Sequence, residues 1–221
     1  MPFRALLCEF DGVIADTENI RIVAWERTFG AMGWAVDPEV CARAAQVDDD
    51  TFLKDVFARR QIHDGDIKGW VSRKQRLAVA MLADSPRVYP GMPELFRGLQ
   101  GRVRLGIVST SWRQNIVTVL QAVGLEDVFD VIVGKEDVKM VKPSAAGYKL
   151  ALRRLQLTKR DAVALEESPM GHLSAQLAGL RVCVVGHGKP PAGWVGHAFY
   201  LSDFSDTRKV IRTLQMMAPV R

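Results

Sequence analysis

From Val103 onward the chain alternates short apolar runs with stretches of about a dozen residues at helical spacing, and few architectures accommodate that rhythm. The apolar runs are Val103–Ser109, Val128–Gly134, Ala162–Glu166 and Arg181–Gly186, with a shorter one near Ala198–Leu201. Between and after them, Trp112–Val123, Ser144–Leu155, Pro169–Ala178 and a segment from about Asp206 carry helical periodicity, and Gly124 and Gly179 sit where two of these helices should stop. Strands that are apolar along their whole length suit a sheet buried on both faces. Strand–helix alternation of this kind predicts a doubly wound, Rossmann-like parallel sheet.

The beginning of the chain supplies one more strand and then departs from the pattern. Residues 3–10 read as a short central strand that Asp11-Gly12 breaks. From Glu18 to Met32 the period becomes helical, with Asp16 or Thr17 as N-cap and Gly33 as stop. Residues 37–84 read as wholly helical: Pro38 sits near one start, Thr51–Phe57 continues the pattern, and a further helix runs from about Ile67 to Leu82 after a turn at His63–Asp66. Ser85–Gly91 is a loop that marks the change of character. The predicted organisation is an α/β core from residues 1–15 and 87–221, interrupted by a helical insert over 16–86.

Composition narrows the class. Hydrophobic residues are 48% and charged residues 25% of the chain, ordinary for a protein with a real core. No apolar run approaches the roughly 18 residues needed to span a bilayer, and an acid at Glu9 interrupts any signal-peptide apolar region, so a cytoplasmic protein is expected, with no membrane partner. Cys8, Cys41 and Cys183 are sparse and unpaired in spacing, which predicts reduced, buried thiols. His63, His172, His187 and His197 lack zinc-ligand spacing. The formal charge is +5, but the basic residues are scattered without interleaved aromatics, so small anions rather than nucleic acid are the expected partners. A monomer is the expected state for a domain of this size.

In an open parallel sheet, ligands bind outside the carboxyl ends of the strands. Those ends here are Glu9-Phe10-Asp11-Gly12, Ser109-Thr110-Ser111 and Glu166-Glu167-Ser168, while Lys142-Pro143 precedes a helix. Four carboxylates, several hydroxyls and one ammonium are thus predicted to converge on one edge. Carboxylate oxygens hold Mg2+, hydroxyls and a lysine bind phosphate oxygens, and a carboxylate can serve as nucleophile or as acid and base. The set suits phosphoryl transfer.

Glu9–Glu18 resembles the first motif of the haloacid dehalogenase superfamily, in its β-phosphoglucomutase-like phosphatase branch. Ser109 falls in the second motif, Lys142-Pro143 matches the third and Glu166-Glu167-Ser168-Pro169 is similar to the fourth, all in order across nearly the whole chain. The helical insert stands where that branch carries its cap. The resemblance implies a Mg2+-dependent phosphatase acting on a small phosphorylated metabolite, a sugar phosphate, through an aspartyl-type phosphoenzyme. It places Glu9 as nucleophile, Asp11 as general acid/base, Ser109, Thr110 and Lys142 at the phosphate, and Glu9, Asp11, Glu166 and Glu167 at the metal. An alternative reading has Glu166 orient its neighbours rather than bind the metal.

Two departures stand out. Glu9 and Glu167 each carry one methylene more than the aspartate the family uses, and a displacement of that size can cost about a hundredfold in rate. A weakened phosphatase and a non-catalytic metal- and phosphate-binding relative are both compatible with such a site. In the insert, mutase-type caps clamp a second phosphate with a basic residue, where this chain has Gln46-Val47-Asp48-Asp49-Asp50. Three acids there are expected to repel a second phosphate and count against a mutase; the alternative is that they charge a helix N-terminus, Asp50 above all. Arg21 stands where the mutases tend to have histidine, which also favours hydrolysis. Trp25, Phe29 and Trp34 are expected in insert packing, and Trp112 and Arg113 either touch phosphate or start a helix.

Overall fold

The computed structural model describes residues 2–45, 47–187 and 199–217; Gln46, His197 and Ala198 lie outside the described residues. The chain divides into two compact units, Met1–Asp16 with Arg87–Arg221, and Thr17–Pro86.

The first unit is built on a six-stranded sheet. Its strands are β1 (Ala5–Cys8), β2 (Arg104–Val108), β3 (Val131–Val133), β4 (Ala162–Glu166), β5 (Arg181–Val185) and β6 (Tyr200–Leu201). They lie in the order β3-β2-β1-β4-β5-β6 and every pairing is parallel. The order reverses at β1, because the chain fills one side of that strand with β2 and β3 before returning to its other side with β4. Crevices outside the strand ends form at such a reversal. Cys8 is level with Ile107 on one side and Leu165 on the other, so β1, β2 and β4 deliver their following residues to the same edge.

Helices α5 (Met92–Leu99), α6 (Arg113–Ala122), α7 (Ala146–Arg154), α8 (Pro169–Leu177) and α9 (Thr207–Met216) belong to this unit. The sequence reading assigns no element between Gly91 and Val103, yet α5 forms there. Met92, Leu95, Phe96 and Leu99 are its buried face, at helical spacing, and Pro93 lies within its first turn, where a missing N–H costs nothing. Residues 128–134 yield only a three-residue strand. Gly124 and Gly179, at φ +66° and +80°, follow α6 and α8 in the left-handed conformation that ends helices. One part of the core packs Leu7, Val108, Val133, Tyr148 and Leu152 with the alanines of β4 and α8.

The second unit contains helices numbered here α1 (Glu18–Ala31), α2 (Pro38–Ala42), α3 (Asp49–Arg59) and α4 (Ile67–Asp84). An aromatic cluster holds it together. Trp25 stacks on Phe29 with centroids 5.3 Å apart, Phe29 meets Trp70 at 5.5 Å, and Trp34 meets Trp70 at 4.5 Å. Trp25, Phe29 and Trp34 thus pack the interior, with Phe52, Leu53 and Phe57 of α3 in the same cluster.

Candidate active site

The acidic and hydroxyl groups of the site stand at or just beyond the carboxyl ends of β1, β2 and β4. Glu9 follows β1, and its backbone N–H donates to Leu165 O at 3.0 Å, so its position is fixed by the sheet itself. The side chain is buried, 4% exposed. Oε1 accepts from the N–H of the next residue, Phe10, at 2.8 Å, while Oε2 accepts from Lys142 Nζ. The same ammonium donates to Glu166 Oε1 at 2.5 Å, and the Tyr148 hydroxyl donates to that oxygen as well. Glu166 closes β4, Tyr148 sits on α7, and both are completely buried.

Asp11 is held from the β2 side. Ser109 Oγ donates to Asp11 Oδ2 at 3.2 Å and Ser111 Oγ donates to the same oxygen at 2.6 Å. Ser109 Oγ in turn accepts from the Ser111 N–H at 3.0 Å. Glu167 folds over Gly12: a Cβ at that glycine would lie 2.8 Å from Glu167 Cγ, and Gly12 adopts φ +72°. Ser168 Oγ caps α8 by accepting from Gly171 N–H at 3.1 Å, with Pro169 at the helix start. Both demands on Gly12, space and a left-handed backbone, are ones that only glycine meets at low cost.

The charges in this pocket do not balance. Glu9, Glu166 and Glu167 surround one ammonium, leaving two negative charges uncompensated if all three are ionised. Burial pushes the Glu9 carboxyl up to about 7 against the pull of Lys142, with Glu166 and Asp11 adding to the rise. Burial also drives Glu167 well above the carboxylate range, and Glu166 and Glu9 reinforce it. Burial alone would lower Lys142, but the Glu166, Glu9 and Glu167 carboxylates outweigh it and hold the ammonium charged. Burial and Glu166 raise the Tyr148 phenol, which stays a donor. Glu166 Oε2 and Glu167 Oε2 are buried without a hydrogen-bond partner among the described residues. Orphaned carboxylate oxygens and surplus negative charge fit an oxygen-seeking divalent cation. Among the described residues no three His, Cys, Asp or Glu side chains are already grouped to hold one.

The model of the family described as haloacid dehalogenase-like hydrolase matches residues 6–185, which runs from within β1 to the end of β5 and takes in the whole of this site. The chain belongs to that family. Among its relatives, protein CbbY of Cereibacter sphaeroides is 32% identical over 197 residues, covering 83% of this chain and 84% of that one. A phosphorylated carbohydrates phosphatase of Thermotoga maritima is 25% identical over 177 residues, covering 80% and 82%. The crystal structure of CbbY from Rhodobacter sphaeroides in complex with phosphate matches with a TM-score of 0.77 and 29% identity, over 92% of this chain and 96% of that chain.

Within this family member, the structure brings together Glu9, Lys142 and Glu166 by direct contact, and Asp11 with Ser109. Glu167 lies against Gly12, while Thr110 is exposed at the same strand end. Two contributors escape a reading of spacing alone. Tyr148 fills an ordinary interior helix position, and Ser111 was noted only as part of a hydroxyl run. Arg113 is committed elsewhere: its guanidinium donates to Ile132 O and to Asp137 at 2.9 Å. Trp112 lies under Lys135, whose Nζ is 5.1 Å from the ring centroid.

The second unit shows where the three acids stand. Asp48 is the N-cap of α3, accepting from the N–H groups of Asp50 and Thr51 at 3.1 Å each. Asp49 is buried, 2% exposed. It accepts from Lys74 Nζ at 3.1 Å through both oxygens, from Trp25 Nε1 at 3.1 Å and from Arg21 Nη2 at 3.4 Å. Burial favours its neutral form, yet Lys74 and Arg21 outweigh that and hold the carboxyl below its ordinary value. Asp48 and Asp49 therefore have structural partners, and Arg21 and Lys74 offset two of the three acids. Asp50 is exposed, like Asp48, and lies in the first turn of α3, where the sequence places it.

Proposed function

We propose that this hydrolase removes the phosphate group from a small phosphorylated sugar, with Mg2+ as cofactor. The observation that carries the reading is Lys142, a buried ammonium ion-paired with both Glu9 and Glu166 at the edge where Ser109 and Ser111 grip Asp11. The phosphate in the CbbY structure and the name of the Thermotoga relative support the substrate class.

In this mechanism Lys142 draws Glu9 toward its ionised form, against the burial that raises it, and lends its charge to a phosphate oxygen. Glu9 attacks phosphorus, forming an acyl phosphate as the sugar oxygen leaves, and Asp11 protonates that oxygen. Asp11 then takes a proton from the water that hydrolyses the acyl phosphate. Ser109 and Ser111 orient Asp11 for both transfers, and Ser109 and Thr110 can donate to the phosphate. Tyr148 and Glu166 position Lys142. Glu9, Glu167, Glu166 and Asp11 are the residues that would hold Mg2+, which when bound neutralises phosphate charge.

The extra methylene of Glu9 is taken up by folding Oε1 back onto the Phe10 amide. A nucleophile anchored at both oxygens attacks less readily, which supports slow turnover and keeps a second reading in play, a metal- and phosphate-binding relative with little catalysis. Phosphate release from a panel of sugar monophosphates, with and without Mg2+, tests the proposal. Release that needs both Mg2+ and Asp11 is the expected result; a protein inert both as it stands and as Glu9→Asp sinks the phosphatase reading.

A further inference from the structure

The other edge of the same sheet, where the strands begin, carries a cavity of about 710 Å³. Its walls come from the residues ahead of β1, the turn into β2, the segment before β3 and the end of α7. The volume falls within the range of about 300–1,000 Å³ typical of small-molecule sites. Arg4, Arg102 and Arg104 line it, opposed by Asp127 and Asp130.

These charges are unequally committed. Asp130 is fully engaged, since Oδ1 accepts from Arg104 at 2.5 Å and Oδ2 accepts from the Leu105 N–H at 2.8 Å. Arg4 reaches Asp161 only at 3.6 Å, and its side chain is 61% exposed. Such a pair is weak and leaves most of the guanidinium's donors to solvent. Arg102 forms no ion pair among the described residues; its Nη1 finds the Gly98 carbonyl at 3.5 Å. The lining therefore keeps one net positive charge and two guanidinium groups with donors to spare. Phe129 and Leu157, half-buried, give the same cavity an apolar wall.

A guanidinium presents a planar fork of N–H donors that matches phosphate oxygens two at a time. We propose that this cleft is a second anion site, which takes the phosphate of a small phosphorylated metabolite and lays its carbon skeleton against Phe129 and Leu157. It is separate from the Glu9–Lys142 site, and its case does not depend on the catalytic reading.

The test is a titration of the whole chain with inorganic phosphate, followed by amide NMR shifts at constant ionic strength, with chloride as the control anion. The expected result is saturable shifts at the amides of Gly101, Arg102 and Val128–Asp130, beside any at Phe10–Gly12 and Ser109–Ser111. Arg102→Ala should weaken the first set by about tenfold and leave the second unchanged. Arg102 has no carboxylate partner among the described residues to strand, and Arg102→Lys, keeping charge but not the fork, should weaken binding less than Arg102→Ala. Shifts confined to the strand-end site, equal shifts with chloride, or first-set affinity unchanged in Arg102→Ala would each overturn the proposal.

Discussion

Lys74→Met isolates the ion pair at the centre of the helical unit. Lys74 Nζ lies 3.1 Å from both oxygens of Asp49, and each residue is 2% exposed. At that separation the gross attraction is about 5 kcal/mol for an effective dielectric near 20. Removing one partner of a buried pair costs about 3–5 kcal/mol, because the other charge is left without its counterion. Arg21 and Trp25 remain on Asp49 after the change, so the lower end, about 3 kcal/mol, is expected. Denaturant unfolding followed by tryptophan fluorescence is the assay, since the Trp25 indole N–H itself donates to Asp49. The double variant Asp49→Leu with Lys74→Met, which removes both charges, should recover much of the loss. The pH dependence has a definite sign. Asp49's folded pKa is below its unfolded one, so the pair's contribution is complete above about pH 4 and is lost as pH falls through the lower, folded value. In Lys74→Met this acid sensitivity should shrink. A single variant within about 0.5 kcal/mol of the parent, or a double variant no better than the single, would refute the reasoning.

Three further outcomes follow from local geometry. Gly171→Ala places a Cβ inside the contact radius of Glu166 Oε2; it should cost about 1–3 kcal/mol in denaturant unfolding and disturb the Glu166–Lys142 contact. Gln61, just beyond α3, sits at φ +57°, so Gln61→Gly should stabilise the helical unit by up to about 1 kcal/mol in the same measurement. Cys8, Cys41 and Cys183 are all buried, and burial, the leading cause, raises all three thiols, Cys41 to about 11 and Cys183 to about 12. In the native protein at neutral pH they should resist a thiol reagent and react at the full count only after denaturation.

Much of the fold was legible because parallel strands buried on both faces leave continuous apolar runs, as in Ala162–Glu166, and because glycines such as Gly124 and Gly179 mark helix ends. Helix α5 was hidden by Gly91 and Pro93, residues that read as loop but here open a helix. The strand-end residues could be gathered from sequence because topology alone carries them to one edge. What could not be read was partnership across the chain. Asp49 looks like one of three exposed acids until Lys74, twenty-five residues away on α4, is folded against it. Tyr148 looks like core until its hydroxyl meets Glu166. The accommodation of Glu167 over Gly12 depends on two loops that no local pattern relates.

We propose that Glu9 stands in the nucleophile's place in a phosphatase site slowed by its extra length. The most direct measurement is Mg2+-dependent phosphate release from sugar monophosphates by the parent chain, by Glu9→Asp, and by Glu9→Asp with Glu167→Asp. The account predicts slow release by the parent and a rise of about a hundredfold when both side chains are shortened. No gain from the double change, in a protein that remains folded, would contradict it.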